Sequence, residues 1–104
     1  MSPAGRSPVP QEVQAELERV VERWRQLPID HALSYAGRVR ALAQSLADGV
    51  AQATGHHVAA IPDCGPATLM DQLTVMVYDA SATGTPADTS ILAQNLATLR
   101  RELP

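Results

Sequence analysis

Apolar residues in this chain recur at three- and four-residue steps in four separate segments, with proline or glycine between them. That period matches the turn of an α-helix, and it gives each segment one apolar stripe that has to be covered by another. The first segment, 11–27, aligns Val13, Leu17, Val20, Val21, Trp24 and Leu27. Its glutamates lead and Arg19, Arg23 and Arg25 follow, the order that the helix dipole favours. Pro10 suits the first turn and Pro28 stops the helix. The second segment, 30–54, carries Ala32, Tyr35, Val39, Leu42, Ala43, Leu46, Val50 and Ala53, with Asp30 as N-cap and Gly55 as stop. Gly37 and Gly49 inside it predict either close approach of a neighbouring helix or a break near Gly49.

The third segment, 66–80, places Leu69, Met70, Leu73, Met76, Val77 and Ala80 on one stripe. Residues 73–78 are rich enough in β-branched side chains to suit a strand, but the spacing of three and four selects helix over the alternation a strand needs. Residues 55–65, bounded by glycine and containing Pro62, read as loop. Ser81 to Pro86 reads as turn, and Asp88 or Thr89 caps a fourth helix, 89–102, with Leu92, Leu96, Leu99 and Leu103 on its stripe and Arg100 and Arg101 near its C-terminus. The expected fold is all-α: a small bundle of four amphipathic helices, antiparallel or orthogonal, with 11–104 forming a single domain. Residues 1–10 contain Pro, Gly and Ser but not the apolar stretch of a signal peptide, and are expected to be a disordered tail.

A chain of 104 residues can bury a core without disulfides or metal. The core is expected to be thin, because there is no Phe and the aromatics are only Trp24, Tyr35 and Tyr78. Thin helical cores often leave apolar surface to be buried in a partner or a second copy. All eight basic residues are Arg, and Ala, Gly and Pro are frequent, a usage that points to a GC-rich, bacterial source. The net charge of -3 and pI near 5.4 argue against a general nucleic-acid binder, which needs clustered positive charge. A local basic patch would need Arg38 and Arg40 to lie beside Arg100 and Arg101. One cysteine, Cys64, allows no intramolecular disulfide and no multi-cysteine zinc site, which fits the reducing cytoplasm. No run approaches the roughly 18 to 20 apolar residues of a membrane span, so no membrane partner is expected.

The residue types that carry chemistry gather in one connection: His56, His57, Asp63 and Cys64. All four bind transition metals, and His57 next to Cys64 would make an activated thiol. Against this, adjacent histidines on a loop point apart, and neither HExxH nor CxxC is present. Asp71 and Asp79 flank Tyr78, but eight helical residues separate them by about 12 Å, too far to share a proton. GxGxxG, GxxxxGK[ST] and GxSxG are all missing, so no nucleotide cofactor or serine nucleophile is expected. The expected function is therefore a non-catalytic helical protein-interaction or regulatory module, able to self-associate. Its expected contact residues are Trp24, Leu17 and Val20 of the first helix, unless these form the core. The alternatives are a small metal-binding or Cys/His-dependent enzyme using loop 56–64, and an antitoxin- or immunity-like protein that neutralises a partner.

Overall fold

The computed structural model describes residues 7–57 and 59–104. Within them lie four helices and no strand: α1 (Gln11–Arg25), α2 (Ile29–Thr54), α3 (Leu69–Thr83) and α4 (Pro86–Glu102), with a 3₁₀ turn over Pro66–Thr68 leading into α3. The small all-α bundle expected from the periodicity is the fold. Residues 1–6 of the expected tail lie outside the described residues, and Val9, near its end, packs against the core.

Several helix ends differ from expectation, each for a local reason. α1 stops at Arg25 rather than Leu27, because the backbone tightens: the Gln26 N–H donates to the Arg23 carbonyl and the Leu27 N–H to that of Trp24. α2 starts directly after Pro28, so Asp30 sits in its first turn and not at its cap. It ends as expected at Gly55, whose φ of 73° is the left-handed conformation that glycine adopts without a Cβ penalty. α3 continues through Ser81, which is buried, and runs to Thr83; the expected turn shrinks to Gly84 and Thr85. α4 begins at Pro86, capped by Thr85 rather than Asp88 or Thr89. The Asp88 N–H donates to Thr85 Oγ1 at 3.2 Å while Asp88 Oδ2 accepts from the Thr85 N–H at 2.9 Å, a reciprocal capping box. These bonds to the ionised form hold the Asp88 carboxyl below its ordinary range.

The core is built where the stripes meet. α1 packs on α4, and α2 on α3. Leu69, Leu73, Leu96, Leu99, Val13, Val20, Val39 and Val77 are fully enclosed, and Ala32, Ala43 and Ala93 fill narrower spaces among them. Gly37 and Gly49 do not serve close approach: a Cβ at either would meet nothing within 4 Å, and α2 is unbroken at both. Gly84 does, since a Cβ there would fall 2.8 Å from the Ala80 carbonyl oxygen and 3.1 Å from Asp88 Cβ.

The helix directions are not those of an up-and-down bundle. Residues 45–53 of α2 line one cavity with Ala80 and Thr83 at the far end of α3, whereas Arg40, earlier in α2, bonds to Asp63, ahead of α3. α2 and α3 therefore run parallel, and the connection between them travels back along α2. α4 opposes both, with Leu92 beside Gly49 and Glu102 paired to Arg38 at 2.8 Å. Among the described residues no helix is long and apolar enough to cross a membrane.

Candidate functional site

A parallel pair of helices needs a connection that retraces one of them, and residues 55–57 and 59–65 do so as an extended strap. Its backbone has no sheet to join, so its polar groups must find side chains. Gln44 of α2 supplies two: Nε2 donates to the Ala59 carbonyl at 2.9 Å, and Oε1 accepts from the Ile61 N–H at 2.7 Å. Gln72 of α3 holds the other side, its Nε2 donating to the Pro62 carbonyl at 2.9 Å. Asp63 accepts from Arg40 Nη2 at 2.9 Å and from the Gly65 N–H at 3.1 Å, and Gly65, at φ 87°, turns the strap into α3. Two amides and one ion pair thus fix the strap across both helices.

Between strap and α3 this arrangement leaves an apolar groove of about 430 Å³, lined by Ala47, the strap residues Ala59, Ala60, Ile61 and Pro62, and Asp71, Gln72, Val75 and Met76 of α3. Val75 is 53% exposed and Tyr78, one turn along the same face, is 50% exposed. Asp71, Val75 and Asp79 follow one another at four-residue steps, so two carboxylates bracket the apolar ridge. A second cavity, about 240 Å³, is closed at one end by Gly84 and Asp88, which cap and pack α4.

The expected chemical cluster is spread along the strap. His56 Nδ1 lies 2.7 Å from Thr54 Oγ1 at the end of α2, Asp63 is engaged by Arg40, and Cys64 is exposed. Among the described residues no three His, Cys, Asp or Glu side chains come together as a metal site would require. Trp24, Leu17 and Val20 lie in the core, with Val20 fully enclosed, so a partner reaches them only if α1 leaves the bundle. The arginines considered as a basic patch face carboxylates instead: Arg38 pairs with Glu102, Arg40 with Asp63, and Arg100 Nε with Glu16 Oε1 at 3.1 Å. Arg101 Nη2 donates to Thr98 Oγ1. Glu16 also accepts from Arg19 at 2.9 Å. The Arg19 bond, opposed by partial burial and reinforced by Arg100, holds the Glu16 carboxyl below its ordinary range.

No protein-family model, curated protein or solved structure matches this chain. The groove itself was not among the expected sites, yet two signals for it stand in the sequence. Val75 falls off the apolar stripe of α3, where a soluble helix face would be polar. In addition, no lysine or arginine occurs between Arg40 and Arg100, a stretch that carries Asp48, Asp63, Asp71, Asp79 and Asp88.

Proposed function

We propose that this protein is a non-catalytic helical module that binds another polypeptide, a second copy or a different chain, through the groove between the strap and α3. The observation that carries the reading is the contiguity of exposed Val75 and Tyr78 with an apolar groove whose strap wall is held by Gln44 and Gln72. A rigid apolar depression with a polar edge is how peptide-binding surfaces are commonly built, and a large apolar side chain at its centre supplies the anchor contact. The two carboxylates held below their ordinary range, Glu16 and Asp88, are engaged in joining α1 to α4 and in capping α4, which supports a structural rather than an acid–base role for them. Exposed, single Cys64 supports a reducing compartment such as the bacterial cytoplasm.

The test is a selection of displayed random peptides on the immobilised protein, with light scattering across a wide concentration range run alongside. The expected result is enriched peptides with apolar anchors, or a concentration-dependent dimer, lost on Val75→Asp while helicity is retained. Binding or dimerisation that Val75→Asp leaves intact overturns the groove as the contact surface.

A further inference from the structure

Resting on the groove as the contact surface, we infer that its occupant is a basic amphipathic segment of a different protein, with apolar residues against Val75 and arginine or lysine beside Asp71 and Asp79. The argument is charge complementarity. Asp71 lines the groove and Asp79 lies one turn beyond Val75 on the same helix face. Asp48, on the α2 side, accepts from Gln44 Nε2 at 2.8 Å, the same amide that grips the strap wall. Among the described residues none of the three is paired to a cation, and the whole stretch 41–99 contributes no lysine or arginine to pair them. Arg40, the nearest in sequence, is committed to Asp63.

A second copy fits this face poorly. A two-fold dimer places the same patch on both sides, which would set the carboxylates of one copy against those of the other with no cation between them. Pairing the groove with an arginine-bearing surface elsewhere on a second copy would be head-to-tail, which builds rings or filaments rather than a two-fold dimer. A separate chain that carries its own positive charge meets both requirements: it buries the ridge at Val75 and neutralises the rim. Apolar contact supplies most of the affinity, while the rim charges set which segments are accepted and how fast they arrive.

The experiment uses three synthetic amphipathic peptides of about 16 residues, long enough to form a helix on a groove. They share one leucine stripe and differ only in their flanks: arginine, glutamate or serine. Binding to the full chain is read by fluorescence anisotropy. The Arg-flanked peptide is expected to bind about tenfold more tightly than the Glu-flanked one, the sum of modest surface pairings and avoided repulsions. That ratio should shrink towards one when salt is raised from about 50 to about 500 mM. The double variant Asp71→Arg, Asp79→Arg should reverse the preference, which a merely unfolded protein would not do. Equal binding of all three peptides, abolished by Val75→Asp, overturns this inference and leaves the groove reading standing. Binding unaffected by Val75→Asp overturns both. A dimer that Val75→Asp disrupts, with no preference for the Arg-flanked peptide, also overturns the inference, in favour of a second copy.

Discussion

The α1/α4 half and the α2/strap/α3 half of this molecule use their polar residues in opposite ways. In the first, charge of both signs is interlocked: Glu16 is shared by Arg19 and Arg100, and α4 is closed by a capping box at one end and Arg38 to Glu102 at the other. In the second, two neutral amides and the Arg40–Asp63 pair hold the strap, the carboxylates left without an ion-pair partner among the described residues are Asp30, Asp48, Asp71 and Asp79, and an apolar ridge faces outward. At the seam between α1 and α4 these charges are spent on each other and are not offered to a partner. The half tied down by Gln44 and Gln72 keeps both its apolar ridge and its carboxylates free for one.

The comparison breaks most readily at the core. Leu96→Ala in α4 removes a fully enclosed side chain and should cost about 2–5 kcal/mol in urea unfolding. Val75→Ala in α3, on the exposed ridge, should change stability by no more than about 0.5 kcal/mol. Similar costs for the two would mean that Val75 is covered within the monomer and that the two halves do not differ.

Gly84→Ala probes the short turn where α3 meets α4. The added methyl meets backbone, the Ala80 carbonyl oxygen at 2.8 Å, and not the end of a side chain that can swing away. A loss of about 1–3 kcal/mol is expected, as for other overpacked sites. Gly49→Ala in the middle of α2 has open space and should instead stabilise by roughly 0.5–1 kcal/mol, since Ala is the better helix former. If both substitutions have the same sign, the turn is not the close contact described.

Glu16→Gln sharpens the electrostatic side of the contrast. It keeps the shape but loses charge-assisted bonds to Arg100 and Arg19, the latter largely exposed, for an expected cost of about 1–2 kcal/mol at neutral pH. The sign of the pH dependence follows from the lowered Glu16 carboxyl. Its contribution is complete above its ordinary value of 4.5 and is lost as pH falls through the lower folded value. Wild type should therefore lose stability on acidification more steeply than Glu16→Gln below that point, in urea titrations run at stepped pH. Parallel curves would show that Glu16 does not bind α1 to α4 through its charge.

The fold was legible in the sequence because its apolar stripes are complete: every residue assigned to the first and third stripes is enclosed or packed on the core. The ends were less so. Thr85 followed by Asp88 three residues on is a capping signature, but Gly84 and Pro86 beside it resemble turn chemistry equally well, so α4 was expected to start too late. The parallel course of α2 and α3 was not legible, because an eleven-residue connection is long enough either to turn back or to retrace a helix; side chains such as Gln44, which decide between these, look like ordinary surface residues. Reactive residue types in the sequence point to His56, His57, Asp63 and Cys64, whereas the signs of the proposed groove are subtler: Val75 standing off its stripe and the missing cations from 41 to 99.

The finest distinction concerns Gln44, which ought to matter to the groove far more than to the fold. Its two bonds to the strap are part-exposed, and water can replace them when the amide is removed. Gln44→Ala should therefore cost only about 1 kcal/mol or less in global unfolding. Locally the effect should be larger. The Ile61 N–H, which has Gln44 Oε1 as its acceptor, should exchange with solvent about tenfold faster, while amides of Leu73 and Val77 in α3 keep their protection. Because Ile61 and Pro62 form the wall opposite Val75, peptides that bind wild type should bind this variant more weakly in proportion to the strap's loosening. Unchanged exchange at Ile61 would show that the apolar packing of Ile61 holds the strap without the amide, and the two halves of the molecule would then differ in charge but not in how they are held together.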